Sequence, residues 1–500
     1  MSGRATGGNR FASSVLDTWA TMFVDPERTE RAAAGLHRLE GRRRAVGDVL
    51  RVHKAVPQFQ YGLEQLAASG PEIHRARAAA AKSWYAAEAG RLADHLRLLR
   101  SELAWLAGQP EVAGAGLAVI KGFNNARFYR DPSPRWSRDV DVYVPDWGAC
   151  LAVVRLLRER GYVFDEEECP WFKAEFEHGR AEYGQLFLVR AEDGRFSRVD
   201  IHFGTYSVGA GDYLDFPLTD FYEPVAPDLG YQGLNPTGTL MVMFAHALSD
   251  GYVSVKDVND TVSLALTRDD VDFSRLAREI PRHSLEPQAL LLADHLTRLY
   301  RDSRIGGFAR ALRRAAGGGR NSPLWRMHDR NWHRRAAVNA VHAYRSALRR
   351  YRGPLVATRR AGQCAVFYNR RLSVTLSDRS LPQRLLVRLM ARTDLTRWRL
   401  RSDACPTMIH TGHPALTGIA PASLAAPDGS AVGLPRLRPT PAAGVRVGGT
   451  FPDRQLVAIG DDVFLCSWDQ VVSRRDAALA KHLASVQGAA ARRKGESADD

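Results

Sequence analysis

The stretch RDVDVYV, residues 138–144, carries two carboxylates two positions apart, Asp139 and Asp141, among valines. Side chains of a β-strand alternate between its two faces. The pattern therefore predicts a strand that presents both aspartates on one face and turns its valines into a core. Two carboxylates fixed on one face form a hard-oxygen site of the kind that Mg²⁺ prefers.

One strand is predicted upstream of this stretch, and a hairpin of two strands is predicted downstream of it. Upstream, the apolar run LAVIKG ends in Lys121-Gly122. Downstream, the segment YGQLFLVRAEDGRFSRVDIHF, residues 183–203, predicts a hairpin whose tight turn lies at Asp193-Gly194. Asp200 then stands on the second arm of the hairpin, with apolar neighbours on both sides. A glycine at a strand end, an Asp-x-Asp strand and a later aspartate strand together form the catalytic skeleton of nucleotidyltransferases.

The chain resembles the polymerase-β-like nucleotidyltransferase superfamily over roughly residues 85 to 265. Within it, the chain is similar to the subgroup of unassigned substrate that has a Lys-Gly strand end. The wider superfamily prefers Gly-Ser or Gly-Gly at that place, whereas Phe123 follows Gly122 here. The residues that carry the resemblance are Lys121, Gly122, Tyr129, Asp131, Pro132, Arg135, Asp139, Asp141, Asp200 and His202.

The resemblance implies an α+β fold in which a small mixed-sheet nucleotidyltransferase core is embedded in helices. It also implies Mg²⁺-dependent transfer of NMP from an NTP, with ATP among the candidate nucleotides. Asp139, Asp141 and Asp200 are the expected catalytic residues and metal ligands. They are expected to hold two Mg²⁺ ions, with Mn²⁺ as an alternative, because such a pair stabilises both the attacking and the leaving oxygen.

Nucleotide-binding roles are expected for Lys121, Gly122 and Arg135. Lys121 supplies a point charge for the triphosphate, and Arg135 is a candidate second clamp. Gly122 lets backbone amides approach phosphate oxygens, because it has no side chain. His202 shares the face of Asp200 and is a candidate partner of the metal ligands. Three of these residues also have a plainer interpretation: Lys121 as a solvated lysine, Arg135 as an arginine paired with a nearby acid, and His202 as a structural histidine.

The predicted organisation has several parts. Helices occupy 1–112, the nucleotidyltransferase core 113–225, and a second helical region, basic towards its C-terminal end, 226–352. Alternating apolar runs predict a small β-containing domain of unknown role at 361–472. The polar tail, residues 488–500, is predicted to be disordered.

The composition indicates a globular protein, with 45% hydrophobic and 25% charged residues. No apolar stretch is long enough to span a membrane, and the N-terminus lacks the apolar run of a secretory signal. The five cysteines include no C-x-x-C pair, which indicates a reducing compartment. We therefore predict a cytoplasmic location and no membrane partner.

The net charge of +15 is concentrated in residues 301–400, which hold 24 Arg, no Lys and four Asp. Such a basic segment beside a nucleotide-handling core makes RNA a candidate partner. The alternative is a set of solvated arginines on helix faces.

Two other functions compete with nucleotidyl transfer. A sugar-nucleotide glycosyltransferase also holds a metal with Asp-x-Asp, but it places several strand–helix units before that motif. An inactive nucleotidyltransferase fold retained as a binding module for RNA or protein is the non-enzymatic alternative. Three converging carboxylates argue against the binding module, because like charges repel without a metal. The acceptor is not identified by the sequence; the subgroup favours a small molecule or a peptide.

Overall fold

The protein is described here from a computed structural model. The described residues are 36–37, 39, 41–52, 55–69, 72–164, 171–175, 180–192, 195–208, 212–225, 231–250, 253–283, 285–300, 302–319, 356–358, 363–369, 372–377, 407–410, 454–459 and 462–467.

Helices precede the sheet, as predicted. They are α1 (Arg43–Val52), α2 (Val56–Ser69), α3 (Glu72–Lys82), α4 (Ala86–Ala107) and α5 (Pro110–Ala115). Leu96, Leu99, Leu103 and Leu106 of α4 are all buried and form one apolar stripe. Among residues described before position 118, no strand is present, so the strand–helix units expected of a glycosyltransferase do not precede the Asp-x-Asp motif there.

The central segment supplies the main sheet and two helices. Its elements are β1 (Ala118–Val119), α6 (Lys121–Ala126), β2 (Val140–Val144), α7 (Trp147–Glu159), β3 (Val163–Phe164), β4 (Trp171–Glu175), β5 (Arg180–Glu192), β6 (Arg195–Val208), β7 (Asp212–Pro217), a 3₁₀ turn (Leu218–Phe221), β8 (Tyr222–Pro224) and β9 (Gln232–Leu234). The predicted hairpin is confirmed, because β5 and β6 pair antiparallel up to Glu192 and Arg195.

The sheet is mixed, with the order β4-β5-β6-β2-β1-β9-β8 through its centre. Strand β2 runs parallel to β6 and antiparallel to β1, and β1 runs parallel to β9. Helices pack against this sheet, so the predicted α+β class is confirmed. The parallel neighbours β2 and β6 place equivalent positions side by side, and that pairing positions the candidate site.

Two apolar cores form on opposite faces of the sheet. The valines of β2 belong to one core, with Ile201 of β6 and the buried faces of α4 and α7. Tyr143 and Tyr206 belong to the other core, which contains the helices that follow β9. Because side chains alternate along a strand, Asp141 and Asp200 lie on the same face as these tyrosines.

A second helical layer follows the sheet. It comprises α8 (Pro236–Asp250), α9 (Val255–Thr267), α10 (Phe273–Arg282), α11 (Glu286–Leu299) and α12 (Ser303–Ala315). Local signals set its helix starts. Asn235 accepts a hydrogen bond from the Gly238 amide (2.9 Å), and Ser254 and Asp257 form a capping box on α9.

The described C-terminal residues form six strands, five of them within the segment 361–472 that was predicted to contain β-structure. They are β10 (Val356–Thr358), β11 (Gln363–Asn369), β12 (Leu372–Ser377), β13 (Thr407–His410), β14 (Arg454–Ile459) and β15 (Asp462–Ser467). Strands β10–β12 form a separate sheet, whereas β13 pairs with β4 through Thr407 and Trp171 and so extends the main sheet. The division into domains stays a prediction. The predicted tail at 488–500 and basic residues 320–352 lie outside the described residues.

In the described part of the chain, none of the helices has the length and apolar character needed to cross a membrane. The cytoplasmic location stays a prediction.

Candidate functional site

The parallel pair β2 and β6 brings two carboxylates together. Asp141 and Asp200 are direct partners in the register of these strands. Their side chains are almost fully buried, at 7% and 6% exposed. Burial of two neighbouring acidic groups is costly unless cations or hydrogen-bond donors compensate their charge.

The third predicted carboxylate, Asp139, immediately precedes β2 and is partly exposed. Ser137 fixes its position, because the Ser137 hydroxyl donates to the Asp139 carbonyl oxygen (2.9 Å) and contacts its Oδ1 (3.4 Å). Burial raises the pKa of Asp200 well above its usual value, and the charges of Asp139 and Asp141 raise it further against the opposing effect of Arg198. The three predicted carboxylates therefore lie close enough to interact electrostatically.

Lys121 lies directly against this group. Its Nζ donates to Asp141 Oδ1 at 2.7 Å and is 3.1 Å from His202 Nε2. The backbone holds it there, because the amide of Ile120 donates to the Asp141 carbonyl oxygen (3.0 Å). Burial lowers the pKa of Lys121, but the Asp141 carboxylate more than offsets that effect, so the net pKa is raised. Lys121 is therefore a largely buried cation at the site rather than a solvated surface lysine.

His202 is buried behind the same carboxylate. Its Nε2 lies 3.5 Å from Asp141 Oδ1, and its ring packs 5.4 Å from the Tyr206 ring. Burial raises the pKa of Asp141, but Lys121 and His202 lower it by more, so Asp141 stays ionised. Within the described structure, the buried Tyr206 hydroxyl has no hydrogen-bond partner. Sequence analysis did not select Tyr206, although it continues the alternation from Asp200 and His202.

Arg198 is a second cation that sequence analysis missed. Its Nε donates to Asp200 Oδ1 at 2.6 Å and its Nη2 to Oδ2 at 3.2 Å. The guanidinium is 3% exposed and stacks 4.9 Å from the centre of the Phe187 ring. The signal was available, because Arg198 precedes Asp200 by two residues on the same strand and so shares its face.

The donor set can be compared with the needs of a divalent ion. Carboxylate oxygens are the ligands that Mg²⁺ prefers, and Asp141 and Asp200 are direct neighbours in the register of β2 and β6. Among the described residues, however, no three His, Cys, Asp or Glu side chains stand in a metal-holding arrangement. Lys121 and Arg198 occupy the carboxylates instead. The chemistry of these carboxylates suits a divalent ion, whereas their present pairing with Lys121 and Arg198 leaves them engaged within the protein.

The raised pKa of Asp200 gives a pH-dependent prediction. In the unfolded chain Asp200 ionises near pH 4, whereas the folded protein retains the proton to a higher pH. Unfolding then releases a proton, so this residue lowers the stability of the fold as pH rises above about 4. Without divalent ions, the melting temperature of the wild type should therefore fall from pH 4 to pH 8 relative to that of Asp200→Asn, on top of the pH-independent loss that follows from leaving the buried Arg198 without its carboxylate. A difference between the two melting temperatures that does not change over this range would contradict the raised pKa.

Gly122 is required by packing. A Cβ at this position would lie 2.8 Å from Ser137 Cβ and closer still to Ser137 Oγ. The glycine therefore lets the start of α6 approach the segment that holds Asp139. The predicted approach of its backbone amide to phosphate stays a prediction.

Gly122→Ala should displace Ser137 and with it Asp139. We expect a loss of about 1–3 kcal/mol in the free energy of unfolding, because overpacking forces neighbours to shift, together with reduced nucleotidyl transfer. Chemical denaturation and the transfer assay measure the two effects. The double variant Gly122→Ala/Ser137→Gly removes the clash and should recover most of the stability. A single variant as stable and active as the wild type would contradict this packing role.

Arg135 is placed differently from the nucleotide clamp expected of it. Its side chain is 2% exposed and forms a bidentate pair with Asp260 of α9, Nε–Oδ1 2.6 Å and Nη2–Oδ2 2.8 Å. Tyr129 (2.6 Å) and Asn125 (2.8 Å) also donate to Asp260. The guanidinium is thus committed to a buried network that joins the loop before β2 to the helical layer. This arrangement matches the plainer interpretation, an arginine paired with an acid.

Comparison with protein families bears on these residues together. The model of a family described as "Uncharacterised nucleotidyltransferase" matches residues 43–301, more than half of the chain. The chain belongs to this nucleotidyltransferase family. The match runs from α1 to the end of α11 and includes every residue of the candidate site. Neither the curated proteins nor the solved structures contain a match to the chain. Membership supports a transferase with a nucleotide substrate.

Proposed function

We propose that the protein is a polymerase-β-like nucleotidyltransferase of the Lys-Gly subgroup, which transfers NMP from an NTP to a hydroxyl or phosphate of a small molecule or peptide. The observation that carries the proposal is the pairing of Asp141 with Asp200 across two parallel strands, with Asp139 close enough to influence Asp200. Family membership supports the same reaction class. Divalent-ion dependence is part of the proposal.

Asp139, Asp141 and Asp200 would hold the divalent ions, two Mg²⁺ or, as the alternative, Mn²⁺. When bound, these ions lower the pKa of the acceptor hydroxyl and neutralise the departing pyrophosphate. Asp200 accepts the proton of the acceptor, a role for which a pKa above the usual carboxylate value is suited. The acceptor oxygen forms a bond to the α-phosphorus, and the bond from that phosphorus to the pyrophosphate oxygen breaks in line.

Lys121 contributes a cation beside the carboxylates, where the triphosphate would lie. A lysine ammonium acts as a point charge on phosphate oxygens. His202 contacts both the Lys121 ammonium and the Asp141 carboxylate from the buried side of the site, and so fixes their relative positions. Arg135 has no part in nucleotide binding in this account, because Asp260 takes the Nε/Nη2 edge of its guanidinium and the Trp136 carbonyl oxygen accepts from its Nη1.

The proposal is tested by transfer from α-labelled ATP, GTP, CTP and UTP in a cell extract as acceptor source, with Mg²⁺ or with a chelator. We expect a labelled product that requires both Mg²⁺ and Asp139. Asp94→Asn is the matched control, because Asp94 is an exposed aspartate paired with Arg97 on α4, and it should leave transfer unchanged. Label transfer that survives both the chelator and Asp139→Asn would overturn the proposed mechanism.

A second candidate function is an inactive fold that binds RNA or a protein. It is favoured by the internal neutralisation of the site, since Lys121 pairs with Asp141 and Arg198 with Asp200. Because Lys121 and Arg198 compensate these carboxylates, like-charge repulsion does not by itself require a metal ion at this site. In the basic segment, Arg304 pairs with Asp269 and Arg313 with Asp294, so these two arginines are engaged within the protein.

RNA binding is tested separately by a gel shift with tRNA at increasing salt. A salt-sensitive shift with no label transfer would support the binding module, whereas transfer without a shift would support the enzyme alone.

A further inference from the structure

The two cations at the site differ in their freedom to move. Arg198 is 3% exposed, contacts both oxygens of Asp200 and stacks on Phe187. Lys121 is 17% exposed and contacts a single oxygen of Asp141. A lysine ammonium on a flexible stem also reorients more easily than a planar guanidinium in a bidentate pair. If one cation leaves, Lys121 is therefore the one that moves.

The backbone of Lys121 is in an unusual conformation. Its φ is +52°, and within the described residues it is the sole non-glycine residue with a positive φ. The left-handed region is unfavourable for a residue with a Cβ. Such strain persists where the surroundings over-determine it, and it is frequent at ligand sites and switches. Here it directs the Lys121 side chain onto the carboxylates.

We infer that Lys121 is a displaceable internal cation that holds the divalent-ion position when no nucleotide is bound and transfers to the triphosphate when nucleotide and ion enter. This inference rests on the proposed function. Before nucleotide binds, an entering ion must displace Lys121 from Asp141, and the displaced ammonium then has no other anion to pair with. The triphosphate supplies that anion, so ion and nucleotide bind cooperatively. Arg198 contacts both oxygens of Asp200, so Asp139 and Asp141 are the firmer ligands of that ion.

The test is Mn²⁺ binding to the nucleotide-free full-length protein, measured from the spin-resonance signal of free Mn²⁺. Lys121→Met removes a positive charge from the position of the ion, and it should therefore tighten Mn²⁺ binding about tenfold or more, because nearby like charges interact strongly in buried sites. Lys121→Gly is a second variant, which also relieves the backbone strain and so protects against misfolding. Lys82→Met, a lysine on α3, is the matched control and should bind as the wild type does.

Mn²⁺ should also raise the melting temperature of the Lys121 variants more than that of the wild type. Equal or weaker Mn²⁺ binding by both folded variants would overturn the inference. A parallel titration with a non-hydrolysable NTP analogue separates this failure from that of the proposed function. Because the analogue itself binds Mn²⁺, protein-bound Mn²⁺ is measured there from its enhancement of water-proton relaxation. If the wild-type protein binds Mn²⁺ in the presence of the analogue, but the Lys121 variants bind Mn²⁺ no more tightly than the wild type in its absence, only the role of Lys121 is overturned. Wild-type protein that binds no Mn²⁺ even with the analogue overturns both.

Discussion

Asp141→Asn is expected to abolish nucleotidyl transfer and to destabilise the fold at the same time. Activity should fall at least about a thousandfold, because metal-ion stabilisation of transition-state charge is worth several kcal/mol and each 1.36 kcal/mol is a factor of ten. The free energy of unfolding should fall by about 2 kcal/mol, because the change leaves the partly buried Lys121 ammonium without its carboxylate. Steady-state transfer and urea denaturation measure the two effects.

A double variant separates the two effects of this substitution. Asp141→Asn/Lys121→Met removes the stranded cation together with its carboxylate, so most of the stability should return while activity stays lost. Asp94→Asn, which changes an exposed ion pair, should alter neither quantity. If Asp141→Asn retained more than a tenth of the wild-type activity, a metal ligand at this position would be ruled out.

Arg135→Met is expected to cause the largest loss of stability, about 3–5 kcal/mol, because it leaves the buried Asp260 carboxylate without its bidentate cation. Asp260 would retain the hydroxyl of Tyr129 and the amide of Asn125, which do not neutralise its charge. Arg135→Lys should recover only part of the loss, since an ammonium does not reproduce the planar fork. Urea denaturation provides the free energies of unfolding.

The same variant decides between the two interpretations of Arg135. A nucleotide clamp would leave the free energy of unfolding nearly unchanged and raise the KM for NTP. Arg97→Met, which breaks the exposed pair with Asp94, is the matched control and should change stability little. A stable Arg135→Met protein with weakened nucleotide binding would contradict the structural role assigned here.

The strands of the site were predictable because their patterns are local. Alternation of valine and aspartate in 138–144 indicates which face carries the carboxylates, and the hairpin turn positions Asp200 on its arm. The same rule places Arg198 on the face of Asp200, because it lies two residues earlier on the same strand. The parallel register that puts Asp200 beside Asp141 joins positions far apart in sequence, so alternation alone does not fix it.

The partners of the predicted residues were not predictable in the same way. Arg135 and Asp260 are 125 positions apart, and only the packing of α9 against the loop before β2 brings them together. The contact of Lys121 with Asp141 depends on the left-handed backbone at the end of β1, which a lysine adopts only under tertiary constraint. The role of Gly122 likewise depends on Ser137, which reaches it across the turn between α6 and β2.

The most direct test of the central claim is the anomalous diffraction of Mn²⁺ in crystals grown with a non-hydrolysable NTP analogue. The account predicts Mn²⁺ within coordination distance of Asp139 and Asp141, beside Asp200, with Lys121 withdrawn from Asp141 onto the triphosphate. Bound analogue with Lys121 still paired to Asp141 and no Mn²⁺ peak at the carboxylates would contradict it.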